Sequence, residues 1–201
     1  MLNKLKKIKP KHILEMLVIL ISFIPGMILR LIKRDIWIVA ENGDDAKDNG
    51  YAFFKYAMEN KSKKDIYYVI TKKSIYYDKL KKYNKNLLYK NSLKHNIYTI
   101  ASTKYISSQI GSGLPFPELV FNFQGTFIYR FKSIFLQHGI TQNKVQCLLK
   151  NESKVDLFCC AGNKEYDFVI NELGYNEENA KKTGFCRYDL LKDESKNSNK
   201  I

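Results

Sequence analysis

The four cysteines of this 201-residue chain, Cys147, Cys159, Cys160 and Cys186, include no C-x-x-C pair. Without that spacing there is no zinc ribbon and no metal site to expect. Adjacent Cys159 and Cys160 sit in an apolar run that suits buried thiols in a reducing cytoplasm better than a disulfide framework. A dinucleotide fingerprint is also missing. Gly111-Ser112-Gly113 supplies the first two glycines of G-x-G-x-x-G, but Phe116 takes the third place and the motif follows a late strand, so it is no phosphate cradle. There is no internal repeat and no recognisable nucleic-acid module, which leaves DNA and RNA without a case as partners.

Acidic residues are scarce, 20 against 34 lysines and arginines, for a net charge of +14 and a pI near 9.5. An excess of that size calls for an anionic partner. About half of it falls in residues 1–34, where Lys4, Lys6, Lys7, Lys9, Lys11, Arg30, Lys33 and Arg34 face Glu15 alone. Between these clusters runs an apolar stretch from His12 to Ile32. Its uncharged part, Met16 to Leu29, is shorter than the roughly 20 residues of a spanning helix, Pro25-Gly26 interrupts it, and no small-residue cleavage site follows it. The pattern predicts a bent helix lying in an anionic membrane surface. A core helix and a true span that borrows flanking residues are the competing readings.

From Asp35 onward, apolar β-rich runs alternate with helical patterns, which predicts an α/β fold with a helix-covered parallel sheet. Strands are expected at Asp35–Glu41, Asp65–Thr71, Asn86–Tyr89, Lys104–Gln109, Lys132–Gln137, Val155–Ala161 and Lys182–Phe185, and helices at Asn49–Glu59, Ser74–Lys82, Ser92–Ala101, Gln142–Lys150 and Lys164–Leu173. Asp48 and Asn163 suit N-cap positions, and Gly174 a helix stop. Residues 111–130 read as an irregular surface loop or hairpin. The expected organisation is a membrane-interface segment at 1–34, a Rossmann-like domain at 35–191 and a polar tail at 192–201.

The run Ser133 to Leu136 leads into Gln137-His138-Gly139. In open α/β sheets ligands bind beyond the carboxyl ends of the strands, so His138 lies where a substrate would, and histidine is the side-chain type whose unperturbed pKa of about 6.5 lets it accept a proton near neutrality. A hydrogen-bonded loop histidine is the plainer alternative.

Four segments taken in order carry a resemblance. They are Ala46-Lys47-Asp48-Asn49-Gly50, Leu136-Gln137-His138-Gly139-Ile140, Glu165 in a helix that runs into Leu173-Gly174-Tyr175, and Thr183-Gly184-Phe185-Cys186-Arg187-Tyr188-Asp189. Over roughly residues 16–191 the chain resembles the N-terminal half of the CDP-glycerol glycerophosphotransferases, the membrane-associated teichoic acid primases and polymerases of Gram-positive bacteria.

That resemblance implies the N-terminal domain of a glycosyltransferase-B-type fold, a peripheral place on the cytoplasmic face of the cell membrane, a lipid-linked polyol phosphate acceptor, and no cofactor. It implies transfer of glycerol phosphate from CDP-glycerol, with His138 as the base that takes the acceptor's proton. CDP-glycerol would bind a C-terminal domain that nothing here matches, so the chain is expected to be incomplete on its own. Gly139 would let the backbone approach the substrate. Asp48 and Asn49, at a helix start, would hold substrate or simply cap the helix. Arg187 would fork onto a phosphate oxygen with Asp189 orienting it or holding His138, unless the two form a structural ion pair. Glu165 reads as first-turn charge complementing the helix dipole. The alternative function is a non-catalytic membrane-surface module that binds polyanionic polymer or lipid.

Overall fold

The computed structural model describes residues 10–191. Seven strands, β1 (Ile36–Ala40), β2 (Asp65–Ile70), β3 (Leu87–Tyr89), β4 (Lys104–Ser107), β5 (Lys132–Phe135), β6 (Leu157–Cys160) and β7 (Ala180–Lys182), form one parallel sheet in the order β3-β2-β1-β4-β5-β6-β7. The helices are α1 (Pro10–Ile32), α2 (Asn49–Glu59), α3 (Tyr77–Leu80), α4 (Leu93–Ala101), α5 (Pro117–Phe123), α6 (Lys150–Ser153) and α7 (Asn163–Asn171).

Successive side chains of a strand point to opposite faces, and both faces of this sheet are apolar. Ile36, Ile38 and Ala40 of β1, with Tyr67 and Val69 of β2, join the core that α4 and Leu29 of α1 cover. Val39, Ile66, Tyr68 and Ile70 point the other way, onto Phe54 and Ala57 of α2. A third cluster, around Phe135, Phe158, Val169 and Tyr175, closes the β5–β7 edge. Strands buried on both faces are the near-continuous apolar runs of the sequence.

Six of the seven expected strands form in place; the seventh, expected at Lys182–Phe185, lies instead at Ala180–Lys182 and shares only Lys182 with that range. Three expectations are corrected. Pro25 does not interrupt α1, which is continuous over 23 residues. Gln142–Lys150 is not a helix. Thr141, the residue just before it, is held by tertiary hydrogen bonds, its N donating to Glu165 and its Oγ1 to Gln137, and within the segment only a 3-10 turn forms, at Gln146–Leu148. Residues 111–130 are not a bare surface loop, because α5 forms there and Leu114, Val120 and Tyr129 are buried in the core. At the other caps, Gly162 takes the N-cap place before α7, and Gly174 turns the chain at φ 77°.

Within α1 the 21 residues from His12 to Ile32 are long and apolar enough to cross a membrane by length and composition. One face of it packs on the domain. His12, Ile19, Ser22, Gly26 and Arg30 form its buried stripe, at spacings that fall on one helix face. At Gly26 a side-chain Cβ would come within 2.7 Å of Ile100 Cγ2, so glycine lets α1 close onto α4. Arg30 then fastens the helix by donating to the carbonyls of Phe127 and Ile128, each at 2.9 Å, and of Ile100.

Candidate active site at the carboxyl ends of the strands

The sheet's carboxyl edge gathers residues of all four sequence segments. After β1, Glu41 is 2% exposed, and its carboxylate accepts backbone N–H groups of Asp48 at 2.8 Å, Tyr51 at 3.0 Å and Lys47 at 3.1 Å. It therefore satisfies donors at the open end of α2 that would otherwise be orphaned. Burial raises its pKa, against the lowering effect of those N–H groups. Sequence reasoning missed Glu41. The available signal was a carboxylate directly after an apolar strand, which, if buried, needs donors such as a helix start provides.

Because Glu41 does the capping, Asp48 is free for another partner. It occupies the N-cap position without a side-chain cap bond, and its Oδ1 receives Arg187 Nη1. Asn49, fully buried, donates to the carbonyls of Gln137 at 2.7 Å and Leu136 at 3.3 Å and accepts Arg187 N at 3.0 Å. One side chain thus ties the first helix to both the His138 loop and the chain after β7. That is a bracing role; its polar atoms are directed at protein backbone.

Beyond β5 the backbone turns sharply at Gln137, φ 62°, a left-handed conformation uncommon outside glycine. Its side chain is buried and doubly held, donating to Cys159 O at 2.9 Å and accepting Thr141 Oγ1 at 2.7 Å. Glu165 braces the same loop. It is 3% exposed and accepts Thr141 N at 2.5 Å and Ala161 N at 2.6 Å, so its place in the first turn of α7 is a structural anchor beyond dipole complementation.

The turn presents His138 at the surface, on a cavity of about 500 Å³ whose walls include Gln109, Ile110, Thr141 and Leu148. His138 Nδ1 lies 3.3 Å from Ser108 O. A carbonyl can only accept, so Nδ1 is the donor in this contact, and in the neutral imidazole Nε2 then carries the lone pair. Arg187 Nη1 also donates to His138 O at 2.8 Å. A Cβ added at Gly139 would meet nothing within 4 Å, so the protein's own packing does not demand that glycine. Asp189 is exposed, and its side chain makes no hydrogen bond among the described residues. The Arg187–Asp189 pair and the Asp189–His138 contact weighed from the sequence are therefore replaced by Arg187–Asp48. No group of three or more metal-ligating side chains occurs among the described residues.

The model of the CDP-glycerol:poly(glycerophosphate) glycerophosphotransferase family matches residues 24–201. The chain belongs to that family. It is similar to the minor teichoic acid biosynthesis protein GgaB of Bacillus subtilis (strain 168), 34% identical over 164 residues, which are 80% of this chain and 18% of that protein. Among solved structures it resembles two forms of the wall teichoic acid polymerase TagF. One has a TM-score of 0.54 at 12% identity, covering 91% of this chain and 49% of that one; the other has 0.52 at 11%, covering 78% and 39%. A third TagF structure, soaked with CDPG, gives 0.51 at 11% over 84% and 46%. The chain thus spans less than half of each of these relatives.

Proposed function

We propose that this chain is the acceptor-side unit of a teichoic acid glycerophosphotransferase, working with a separate CDP-glycerol-binding unit across a cleft. The observation that carries the reading is the state of His138: Nδ1 occupied by Ser108 O, Nε2 free, and the loop braced by Arg187 beside an open cavity. In the proposed step His138 Nε2 takes the proton of an acceptor hydroxyl. That oxygen attacks the phosphorus bearing glycerol, the bond from phosphorus to the bridging oxygen breaks, and CMP leaves with the electron pair. A positioned base contributes about 10²–10⁴-fold to such a step.

Gly139 leaves room for the acceptor beside the base. Asp48 and Asn49 hold Arg187 and the loop, and the remaining donor capacity of Arg187 serves a phosphate oxygen. Asp189, exposed on the same turn, is an outer contact for the polyol. The apolar outer face of α1 rests on the anionic inner leaflet and keeps the site near a lipid-linked acceptor.

The test is CMP release from CDP-glycerol by this chain combined with a donor-binding half from the family. His138→Ala is expected to lower turnover at least about a hundredfold while the protein stays folded. Near-normal turnover in that variant would remove His138 from the mechanism. It would favour the second reading, a non-catalytic membrane-surface module, for which the exposed apolar face of α1 is the supporting observation.

A further inference from the structure

The strand order reverses between β1 and β4, and in open parallel sheets ligands gather beyond the strand ends at such a reversal. His138 follows β5, one strand away. At the reversal itself lies a chamber of about 830 Å³, walled by Asn42 and Asp44 after β1, Lys90 after β3, Ser112 after β4 and Phe121 of α5. None of these residues belongs to the Asp48–Arg187–His138 assembly.

The chamber lies between two other features. Ile110 lines both it and the His138 cavity. On the opposite side His12 lines the chamber while Ile13, the next residue of α1, lines an apolar groove of about 790 Å³ with Leu17, Phe23 and Phe127. Asn122 and Phe123 of α5 divide in the same way between chamber and groove. The three hollows are therefore neighbours, with the polar chamber bordered by the apolar groove and by the cavity of the candidate base.

The chemistry of the chamber selects among ligands. A phosphate wants several convergent N–H donors or an arginine fork. Here Lys90 is the one lysine or arginine in the wall, its ammonium already donates to Asn42 O at 2.6 Å, and the Asp44 carboxylate adds charge of the wrong sign. Hydroxyl groups fit better, since each can donate to a carboxylate or amide oxygen and accept from an ammonium or serine. The partly exposed ring of Phe121 offers an apolar face for ring C–H groups. We propose that this chamber binds an uncharged sugar unit of the acceptor, between the lipid end that lies toward α1 and the hydroxyl that meets His138. The proposal rests on the acceptor-side reading above.

The test is amide NMR of the full chain titrated with cellobiose and, separately, with glycerol 3-phosphate. Cellobiose should shift the amides of Asn42, Lys90 and Ser112 saturably. Ser112→Trp, which fills the chamber, and Phe121→Ala, which removes the stacking face, should each weaken binding at least about tenfold. His138→Ala should leave it unchanged. The proposal fails if cellobiose gives no saturable shift at these amides. It fails also if glycerol 3-phosphate shifts them saturably and cellobiose does not, or if either chamber variant, with an otherwise native spectrum, binds cellobiose as before. Normal turnover by His138→Ala with intact cellobiose binding would overturn the base assignment and leave the sugar site standing.

Discussion

The guanidinium of Arg187 holds two parts of the site at once, donating to Asp48 Oδ1 at the start of α2 and to the carbonyl oxygen of His138, 2.8 Å away, beyond β5. It brings them together across 139 and 49 residues of chain. Both bonds leave from Nη1, one bond farther from the backbone than a lysine ammonium reaches, and the planar guanidinium also lies over the Phe185 ring at 4.7 Å, an arrangement lysine does not reproduce. Arg187→Lys should lower turnover about tenfold in the complemented assay and cost about 1–2 kcal/mol of stability, as for a partly exposed charged hydrogen bond. A double-mutant cycle with Asp48→Asn should show non-additivity of at least about 0.5 kcal/mol. Strict additivity in thermal unfolding would mean that the pair does not act as a unit.

The left-handed backbone at Gln137 separates two contributions that usually travel together. Truncation to alanine removes the bonds to Cys159 O and Thr141 Oγ1 and keeps the strain of φ 62°. Glycine removes the same bonds and relieves the strain, worth about 1–2 kcal/mol in this region. Gln137→Ala should therefore be less stable than Gln137→Gly by about 1 kcal/mol, reversing the usual order of these residues. Denaturant unfolding of the two variants decides it; equal midpoints would mean that the loop relaxes out of this conformation.

Period-two burial made the strands legible in the sequence, because Ile36, Ile38 and Ala40 against Trp37 and Val39 encode two covered faces. Helix α2 was legible to the residue for the complementary reason: its buried Asn49, Ala52, Phe54 and Ala57 lie on one side. The site was legible only in part. His138 could be found because a strand end is a local feature, whereas the partner of Arg187 could not. Asp189 is two residues away in sequence and Asp48 is 139, yet the fold chooses Asp48. Glu41 and Gln137 went unnoticed because their roles are set by backbone groups, and a sequence does not display where its N–H and C=O groups will need partners.

His95 gives the fold an acid-sensitive point. It is fully buried on α4, its Nδ1 accepts Asn91 N at 3.2 Å, and burial, then the charge of Lys90, pushes its pKa down to about 3. The folded value lies below the unfolded value of about 6.5, so the unfolded state binds the extra proton first. The stability contributed by neutral His95 is complete above about pH 6.5 and is lost progressively as pH falls toward 3. His95→Gln, which keeps an acceptor oxygen without the titration, should flatten stability between pH 6.5 and 4 relative to the parent. Parallel pH profiles would assign the acid sensitivity to other groups.

α1 has two faces with opposite duties, and substitutions should separate them. The outward stripe Ile13, Leu17, Leu20, Ile24, Ile28 and Leu31 is 50–76% exposed, alongside Phe127 at 69%. The inward stripe ends in Arg30, whose guanidinium satisfies three carbonyls. Removing residues 1–34 would therefore strip a covering from Ile100 as well as the proposed membrane contact, and point variants are the cleaner instrument. Leu20→Asp with Ile24→Asp changes surface positions only, so stability should move by about 0.5 kcal/mol or less per site. Each buried Leu or Ile side chain contributes about 1.5–3 kcal/mol to leaving water, so binding to phosphatidylglycerol vesicles should fall at least about a hundredfold. Arg30→Ala should do the reverse, costing about 3 kcal/mol of stability by leaving buried carbonyls without a donor. With the inward face fastened from His12 to Arg30, the proposed docking puts the helix in the plane of the membrane, so alkaline carbonate should extract the intact protein. Retention of the Leu20→Asp/Ile24→Asp variant on the vesicles, or resistance of the parent to carbonate, would refute in-plane docking through this face.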